Sequence, residues 1–389
     1  MLAASLCRSP RSLRLAGTVA AFRGPSHTKL GTQPGPTHKL LLARVRRTDA
    51  SERYFSRQPE AADAADQPER AKHPGRPTRS LAGKVALVTG AGSRADDGRE
   101  HEAGYAGLGN GAATAVLLAE AGASVVCVDV LPARAERTAQ LVRLEHHHHH
   151  RSRDPPGKKR EDDAVALALS GDVTNPSDCE RLVAETTAQL GRLDILVNVV
   201  GAIGAKGDAT QVDAAEWATS LELNVSSMMH MAKYAIPAML RRQRPDNDSN
   251  TKNNDCVGSI VNIGSVAGLR GGTPHLLYPT SKGAVVNMTR AMAVHHARHG
   301  IRVNCVCPGM LYTPMVAYDA DDDDDGRFTV AMSPEMREAR RNRSLLRTEG
   351  NAWDCAAAVR FLAGDEARWI TGSILTVDAG ATASTELVW

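Results

Sequence analysis

The stretch KVALVTGAG, residues 84–92, is a short apolar run that ends in a glycine turn. Fully apolar runs of this length are typical of strands that are buried on both faces, as in a parallel sheet. A glycine directly after such a strand allows a sharp turn and a close approach of the backbone to a ligand. This stretch therefore predicts the first strand of a parallel sheet, with a turn at its carboxyl end.

Six further runs of the same kind follow, separated by stretches with helical periodicity. They are ASVVCVDV (123–130), AVALALSGDV (164–173), LDILVNVVG (193–201), GSIVNIGS (258–265), IRVNCVCPG (301–309) and SILTVDAG (373–380). Strands that alternate with helices predict an α/β class fold with a doubly wound parallel sheet, the Rossmann fold. The chain contains one such series, so we expect a single domain over residues 81–389.

Four polar or low-complexity segments interrupt this alternation, and we expect surface loops at each of them. They are RADDGREHEAGYA (94–106), LEHHHHHRSRDPPGKKREDD (144–163), RPDNDSNTKNND (244–255) and YDADDDDDG (318–326). The histidines at 146–150 could bind a metal opportunistically, but a low-complexity loop is the preferred interpretation. The aspartates at 321–325 are likewise interpreted as a solvated loop, and no metal site is assigned.

The amino-terminal segment differs in charge from the rest of the chain. Residues 1–48 hold nine Lys and Arg and no acid, so the remainder carries +3 − 9 = −6. Residues 1–55 are rich in Arg and Ser, which is typical of a mitochondrial transit peptide, and 56–80 would be a linker. Arg53-Tyr54-Phe55-Ser56 resembles a matrix-protease site, which would leave a mature chain that starts near Ser56. The alternative is a disordered basic tail on a cytoplasmic protein.

The amino-acid composition indicates which classes of binding partner are not expected. The acidic body gives no reason to expect nucleic-acid binding. No apolar run reaches the ~18–20 residues that span a bilayer, so no membrane partner is expected. Seven cysteines without a C-x-x-C motif, most of them inside apolar runs, indicate buried reduced thiols and neither a disulfide framework nor a metal centre.

Glycines on both sides of the first insertion predict a phosphate site. Gly90 ends the first strand, and the helix GLGNGAATAVLLAEAGA (107–123) opens with Gly107, Gly109 and Gly111. Glycine is needed where the backbone approaches a pyrophosphate and where a helix packs on a strand. The exposed N–H groups of a helix start bind phosphate. The strand–turn–helix context supports a dinucleotide site.

The second strand ends at Asp129, twenty residues after Gly109. A carboxylate there can accept hydrogen bonds from both hydroxyls of an adenosine ribose, and it would repel a 2′-phosphate. No Arg directly follows Asp129. The cofactor is therefore expected to be NAD, with NADP less favoured.

These motifs resemble the short-chain dehydrogenase/reductase family over residues 84–380. The family's Thr-Gly-x-x-x-Gly-x-Gly is similar to Thr89, Gly90, Gly107 and Gly109, split by the insert at 94–106. The resemblance implies a Rossmann-fold NAD(P)-dependent oxidoreductase.

Two further cofactor motifs follow from the resemblance. Asp172 and Val173 match the family's adenine-contacting pair. Asn198-Val199-Val200-Gly201 stands where the family usually has Asn-Asn-Ala-Gly, so Asn198 and Gly201 are the matching positions.

The resemblance also implies a catalytic tetrad. Ser265 lies thirteen residues before Tyr278, which is the family's separation, and Lys282 follows Tyr278 by four residues. Asn224, on the long helix before them, matches the family's fourth catalytic position. Tyr278 and Lys282 also count among the family's cofactor contacts.

Chemistry explains the residue types of this tetrad. A phenol is a poor base at neutral pH because its pKa is ~10, and a nearby ammonium favours the phenolate. Residues four apart share a helix face, so Lys282 can lie beside Tyr278. The hydroxyl of Ser265 can bond the reacting oxygen, and Asn224 is expected to hold a water that links Lys282 to solvent. Gly283 is expected to leave room beside the lysine.

The segments after the sixth strand complete the match. Pro308, Gly309 and Thr313 match the family's nicotinamide contacts, and residues 315–347 match its variable substrate lid. The arginines within 337–343 could indicate an anionic substrate, but a solvated helix face is the preferred interpretation.

The expected activity is NAD(H)-dependent interconversion of a small secondary alcohol and a ketone in the mitochondrial matrix. Two alternatives stay open: an NADPH-dependent ketoreductase of the 3-oxoacyl type, and an NAD-binding regulator without catalysis. The helices that carry Asn224 and Tyr278 are rich in Met and Ala. They resemble the family's dimer interface, so a homodimer or homotetramer is expected.

Overall fold

The computed structural model describes residues 75–92, 108–151, 165–241, 256–317 and 332–384, with side chains left out at 146–151. Residues from Pro74 onward belong to one compact unit. The targeting segment 1–55, most of the linker, Gly107 and the loops at 94–106, 244–255 and 318–326 lie outside the described residues.

Seven strands form one sheet in the order β3-β2-β1-β4-β5-β6-β7, with every neighbouring pair parallel. They are β1 Val85–Thr89, β2 Ser124–Asp129, β3 Ala166–Ser170, β4 Ile195–Asn198, β5 Gly258–Ile263, β6 Ile301–Pro308 and β7 Ile374–Val377. Each strand falls inside one of the seven predicted runs. The doubly wound parallel sheet predicted from the sequence is therefore confirmed.

Helices connect these strands. Within the described ranges they are α1 Asn110–Glu120, α2 Pro132–Arg151, α3 Pro176–Leu190, α4 Ala214–Leu221, α5 Ser227–Arg241, α6 Leu277–His296, α7 Pro314–Ala317, α8 Pro334–Arg341 and α9 Ala352–Ala363. None of these helices combines the length and apolarity needed to cross a membrane.

The strand order determines where a ligand can bind. The sheet is built outward from β1 through β2 and β3, and the chain then returns to pair β4 with the other side of β1. At such a reversal the loops after the two strands diverge and leave a crevice at their carboxyl ends. The residues that follow β1, β2, β4, β5 and β6 all lie at this edge.

Two apolar cores hold the helices on the two faces of the sheet. One contains Val88 of β1 and Val116 of α1, together with Val359 of α9. The other contains Leu87 of β1 and Leu182 of α3. Successive residues of β1 point to opposite faces, so the continuous apolar run of this strand contributes to both cores.

A smaller core lies beneath α6. It contains Met228 of α5, Val285 and Val286 of α6, and Cys305 and Cys307 of β6. All five side chains are buried. This cluster supports α6 at Val285 and Val286, in the turn that follows Lys282.

The prediction of a loop over residues 144–163 is wrong for its first part, because α2 continues to Arg151. Ala135, Ala139 and Val142 bury one face of α2, and Arg143 donates two hydrogen bonds to the carbonyl of Ala166. Adding residues to an existing helix costs little free energy. Between Ala133 and Asp154 the sequence has no glycine or proline that would end the helix. The histidine run therefore extends the helix. The six described cysteines are free thiols, and five of them are buried.

Candidate active site

The turn after β1 is built on close backbone contacts. Gly90 has a φ of +64°, in the region that favours glycine, and a Cβ there would lie 3.0 Å from the amide nitrogen of Val200. Gly111 on α1 packs on the same turn, since its Cβ would lie 2.0 Å from the carbonyl oxygen of Gly90. Gly109 is the N-cap of α1. The start of α1 is thus held against the end of β1.

Asp129 ends β2 beside this turn. Its Oδ1 accepts a hydrogen bond from the Leu131 N–H at 3.0 Å. Its Oδ2 lies over Gly92, where a Cβ would come within 2.4 Å of it. The carboxylate therefore lies at the edge of the crevice, one strand away from Gly90.

Arg134, in the first turn of α2, packs next to this carboxylate. A Cβ on Gly92 would lie 2.6 Å from the Cβ of Arg134 and 2.6 Å from the carboxyl carbon of Asp129. The pattern sought in the sequence, an Arg directly after Asp129, does not reveal this arginine. A residue five positions later reaches the same place because the helix starts at Pro132 and brings its first turn back over the strand end.

Asp172 and Val173 follow β3. Asp172 uses its Oδ1 to accept from the N–H and hydroxyl of Thr174, at 2.9 and 2.8 Å. The Asp172 N–H donates to Asp178, and this hydrogen bond, with that from Arg181, lowers the pKa of the Asp178 carboxyl. Val173 is buried in the second core. The loop is a rigid turn beside Asp129, whose carbonyl accepts from the Gly171 N–H.

Polar side chains fix the ends of the central strands. Asn198 donates from Nδ2 to the Oδ1 of Asn262 on β5, at 2.9 Å, and Asn262 donates to the hydroxyl of Thr289 on α6, at 3.0 Å. The Thr89 hydroxyl accepts from the Val199 N–H. These bonds tie β1, β4, β5 and α6 into one buried polar ladder below the crevice.

Lys282 is buried at the centre of the site, with 3% of its surface exposed. Its Nζ donates to the carbonyl oxygen of Ile263, the last residue of β5, at 2.9 Å. Its Nζ also lies 5.9 Å from the centre of the Tyr278 ring. The helix spacing of four residues therefore brings the ammonium beside the phenol, as predicted.

Asn224 lies in a π-helical turn, Glu222–Ser226, between α4 and α5. Its Oδ1 accepts from the Ala202 N–H at 2.8 Å, and its Nδ2 donates to the Ala202 carbonyl at 2.9 Å. The same Nδ2 donates to the hydroxyl of Ser281 at 3.1 Å. A π turn inside a helix often marks a functional residue, because it redirects one side chain. The water link expected of Asn224 stays a prediction.

Tyr278 lies in the first turn of α6, and Ser265 lies just after the end of β5. The Ser281 hydroxyl donates to the Tyr278 carbonyl at 2.9 Å, which joins Asn224 to the backbone of the tyrosine. Ser265 follows β5 as the N-cap of a short 3₁₀ turn, Val266–Gly268, and its Oγ accepts from the Ala267 N–H at 3.1 Å. Tyr278 itself is partly exposed.

Two glycines make room for the lysine. A Cβ on Gly201 would lie 3.1 Å from the Nζ of Lys282 and 3.4 Å from the Oδ1 of Asn224. A Cβ on Gly268 would lie 2.4 Å from the carbonyl carbon of Lys282. At Gly283 a Cβ would lie 3.5 Å from the Gly268 carbonyl, an ordinary contact, so the space expected from Gly283 comes from Gly201 and Gly268 instead.

Pro308, Gly309 and Thr313 lie at the carboxyl end of β6. Pro308 is the last residue of the strand, and a Cβ on Gly309 would lie 2.6 Å from the Cβ of Asp378 after β7. Thr313 is buried and directly precedes α7. The structure thus brings the tetrad and the described cofactor candidates to one edge of the sheet; Gly107 alone lies outside the described residues.

The residues at this edge fit a dinucleotide. Gly90 and Gly92 form a cradle of backbone without side chains, since a Cβ at either would meet neighbouring protein atoms; the first turn of α1 packs on it through Gly111, and the Asp129 carboxylate lies beside Gly92. Bound here, the adenosine ribose would meet Asp129, the pyrophosphate would meet the turn and α1, and the nicotinamide would meet Pro308 and Tyr278.

Comparisons with known proteins agree with this geometry. A family model described as enoyl-(acyl carrier protein) reductase matches residues 104–382. The chain is 32% identical over 280 residues to 2-(S)-hydroxypropyl-CoM dehydrogenase 3 of Xanthobacter autotrophicus, covering 72% of this chain and 94% of that protein. It is 32% identical to the 3-oxoacyl-[acyl-carrier-protein] reductase FabG of Vibrio cholerae, covering 77% of this chain and 98% of that protein.

A solved structure is similar as well. The crystal structure of a putative short-chain dehydrogenase/reductase from Burkholderia xenovorans matches with a TM-score of 0.61 and 36% identity, over 79% of this chain and 99% of that chain. The protein belongs to the short-chain dehydrogenase/reductase family. It is an oxidoreductase that interconverts a secondary alcohol and a ketone with a nicotinamide nucleotide.

In this short-chain dehydrogenase/reductase, the lid helix α8 is attached to the segment after β6. Arg337 forms a two-pronged ion pair with Glu349, and its guanidinium lies 4.0 Å from the centre of the Tyr312 ring. Arg340 is half-buried and donates to the Leu311 carbonyl at 3.4 Å. These two arginines attach α8, which lies in the segment predicted as a substrate lid, so the interpretation of the arginine cluster as a solvated face holds only for the others.

Sequence reasoning missed the supporting residues of this short-chain dehydrogenase/reductase. Ser281 and Ala202 hold Asn224, and the Ile263 carbonyl holds Lys282. Two of these contacts use backbone atoms, which carry no residue-specific signal. Ser281 had a signal, because it lies three residues after Tyr278 and so on the same helix face.

Proposed function

We propose that the protein is NAD(H)-dependent, and that Tyr278 is the acid/base of its alcohol–ketone interconversion. The observation that supports this most is the buried ammonium of Lys282, fixed to the end of β5 and 5.9 Å from the Tyr278 ring centre. When bound, NAD(H) supplies the hydride chemistry. The chain's own residues bind the substrate oxygen and move its proton.

Tyr278 is placed to exchange a proton with the substrate oxygen. In ketone reduction its hydroxyl gives a proton to the developing alkoxide, and in alcohol oxidation the phenolate takes one. The nearby Lys282 ammonium would stabilise negative charge on the Tyr278 oxygen in this step, because opposite charges attract. General acid–base catalysis of this kind typically contributes about 10²–10⁴-fold to the rate.

In this proposal Ser265 holds the same oxygen. Its Oγ accepts a hydrogen bond from the Ala267 N–H, which leaves its own O–H free to donate. A donor that is fixed before the reaction stabilises negative charge as it develops on the substrate oxygen. Ser265 therefore orients the substrate and Tyr278 transfers the proton.

Asn224 is proposed as a positioning residue. Its amide holds both backbone polar groups of Ala202 and, through Ser281, the backbone of Tyr278. It thereby fixes Gly201, the residue next to Ala202, against the Lys282 ammonium. A water bound near this amide would connect Lys282 to solvent and restore its proton.

Asp129 supports the choice of NAD. Its Oδ2 faces the cradle over Gly92, where a ribose bearing free hydroxyls can donate to it. A 2′-phosphate at this position would face a carboxylate and be repelled. The test is the ratio of NAD to NADP affinity, measured by titration on the purified protein, with Asp129→Ala as the variant that should lower it.

A specific observation favours a second candidate, an NADPH-dependent ketoreductase. Arg134 packs beside Asp129, and an arginine there can pair with a 2′-phosphate. FabG of Vibrio cholerae, one of the relatives, is named as a 3-oxoacyl reductase. Tighter binding of NADPH than of NADH, with turnover of 3-oxoacyl thioesters, would establish this candidate.

The catalytic proposal is tested with Tyr278→Phe. This change removes one hydroxyl and keeps the ring, so we expect turnover to fall by about 10²–10⁴-fold with little change in NAD affinity. Thr280→Ala, on the exposed face of the same turn, is the matched control and should keep its activity. Full turnover of Tyr278→Phe would refute the assignment. Cofactor binding without turnover over a broad alcohol and ketone panel would instead favour a silent regulator.

The site of action and the assembly are separate proposals. Residues 1–55 are proposed to direct the chain to the mitochondrial matrix, which a fusion of this segment to a fluorescent protein tests.

A homodimer or homotetramer is proposed because Trp369 is 96% exposed and Val294 on α6 is 78% exposed. Large exposed apolar side chains, tryptophan above all, are frequent anchors of interfaces. A monomer by light scattering would contradict this.

A further inference from the structure

Two thiols lie directly beneath the catalytic serine. Cys305 and Cys307 are two residues apart on β6, so both side chains point to the same face of the sheet. Their sulfurs are 3.7 Å apart, and both side chains are fully buried. The proposed mechanism uses neither of them.

The backbone of the catalytic loop rests on this pair. A Cβ on Gly264 would lie 2.7 Å from the Sγ of Cys305 and 2.8 Å from the Sγ of Cys307. Gly264 joins Ile263, which holds Lys282, to Ser265. An atom larger than hydrogen between the sulfurs and Gly264 would therefore displace both catalytic attachments.

The surroundings favour a thiolate on one of the two. The hydrogen bond from Cys305 lowers the pKa of Cys307; burial opposes this, while the Ser265 N–H and the Lys282 charge act in the lowering direction. The same hydrogen bond, together with burial, raises the pKa of Cys305. Thiolates are the reactive form of cysteine toward soft ions.

The distance suits a bridge by one shared atom better than a disulfide. With bonds of about 2.3 Å to each sulfur, as in zinc thiolates, a 3.7 Å separation gives an angle of about 107° at the bridging atom. A disulfide needs sulfurs at about 2.05 Å, and residues two apart on a strand have Cα atoms about 6.6 Å apart, near the upper limit for a disulfide. β6 is paired on both sides, which prevents it from shortening.

The number of protein side chains available as ligands determines which kind of atom can bridge the two sulfurs. Among the described residues no group of three metal-ligating side chains surrounds this pair, so a closed zinc site is not formed. A trivalent organoarsenical needs only two thiols, because its third bond is to its own organic group. We propose that Cys305 and Cys307 form a dithiol site for trivalent arsenicals and similar thiophilic species, and that occupation of this site inactivates the enzyme by displacing Gly264 and Ser265.

The reaction is balanced without a change of oxidation state. Phenylarsine oxide has an As=O bond, and two S–H bonds are exchanged for two As–S bonds. The two thiol protons leave with the oxygen as one water, and arsenic stays trivalent. Access requires the loop Gly264–Gly268 to open locally, because its backbone covers both sulfurs.

The experiment uses the full-length protein and phenylarsine oxide. Native mass spectrometry is expected to show one phenylarsenic bridge per chain, and activity is expected to fall in parallel. Dithiothreitol should restore activity and 2-mercaptoethanol, a monothiol at equal thiol concentration, should not. Cys305→Ala and Cys307→Ala should each abolish the bridge and the inhibition, scored against each variant's own untreated rate. Cys355→Ala, a buried thiol on α9, should remain as sensitive as the parent.

Serine replacements at 305 and 307 repeat the test with a smaller loss of volume, in case an alanine variant unfolds. No bridge on the parent chain, or a bridge that persists in both single variants, would overturn the site. A bridge confined to these two cysteines that leaves activity unchanged would overturn the inactivation.

Formation of the bridge does not depend on the proposed cofactor. Slower inhibition in saturating NAD is expected, since Ser265 of the loop Gly264–Gly268 is the proposed partner of the substrate and Cys307 directly precedes the proposed nicotinamide contact Pro308; unslowed inhibition would overturn access from the cofactor side of the site.

Discussion

The ammonium of Lys282 is bonded to the carbonyl oxygen of Ile263, at 2.9 Å. This contact joins the last residue of β5 to the second turn of α6, and it holds a charged group with only 3% of its surface exposed. A buried charge is unfavourable unless it is hydrogen-bonded. The strand end therefore fixes a positive charge below Tyr278 before any substrate binds.

Replacing Lys282 by methionine removes this charge at nearly constant volume. Without the ammonium the phenolate of Tyr278 is less favoured, so alcohol oxidation should need a higher pH. We expect kcat at neutral pH to fall by about 10²-fold or more, and the acid limb of the pH–rate profile to move to higher pH.

Lys233→Met is the matched control for this change. Lys233 also lies over a tyrosine ring, 5.3 Å from the centre of Tyr234, but it is exposed on α5. Its profile should be that of the parent enzyme. An unshifted profile for Lys282→Met would remove Lys282 from the proton chemistry.

Asn224→Asp tests the two-pronged contact with Ala202. A carboxylate can accept from the Ala202 N–H but cannot donate to its carbonyl or to Ser281. We expect the free energy of unfolding to fall by about 1–3 kcal/mol, as for other buried polar groups left without a partner. We also expect kcat to fall by more than the loss of folded protein accounts for.

Denaturant unfolding and steady-state kinetics, measured on the same preparations, separate the two effects. Asn287→Asp, at an exposed position of α6, is the control for the added charge. If Asn224→Asp loses stability but keeps kcat, its role is structural and the proposed positioning of Tyr278 is wrong.

The backbone framework could be predicted from the sequence because its signals are local. The apolar runs that became β1 to β7 are each bounded by glycine or polar residues, and their order determines the sheet. The π turn at Asn224 could not be predicted, because it depends on contacts with Ala202 and Ser281 that are distant in sequence. The contact of Arg134 with Gly92 has the same cause: it depends on how α2 returns over the sheet.

Arg134 should determine how much NADP the enzyme tolerates. Asp129→Ala removes the carboxylate that repels a 2′-phosphate, and Arg134 then remains to pair with it. We expect Asp129→Ala to weaken NAD binding by about ten- to a hundredfold, the range for one hydrogen bond to a charged group, and to strengthen NADP binding.

Adding Arg134→Ala to Asp129→Ala should abolish the gain in NADP affinity, because the arginine–phosphate pair is lost. Arg137→Ala, on the exposed face of α2, should leave the gain intact. Isothermal titration of the parent and of each variant with both nucleotides gives the affinities to be compared. Equal NADP affinity with and without Arg134 would show that this arginine does not reach the phosphate.

Gly201→Ala tests whether free space beside Lys282 matters to catalysis. Its Cβ would lie 3.1 Å from the lysine Nζ, which is the movable end of a side chain, so the fold should adjust at small cost while the ammonium moves. We expect a clear loss of kcat with a small change in melting temperature.

Gly283→Ala is the control for Gly201→Ala, since it places the same methyl group next to the same lysine in sequence. Its Cβ would make only an ordinary contact, 3.5 Å from the Gly268 carbonyl. Alanine is favoured over glycine inside a helix by about 1 kcal/mol, so this variant should keep its activity and melt at the same or a higher temperature. Equal activity of the two variants would show that catalysis tolerates a shift of the Lys282 ammonium. The close packing at Gly201 would then serve the fold alone.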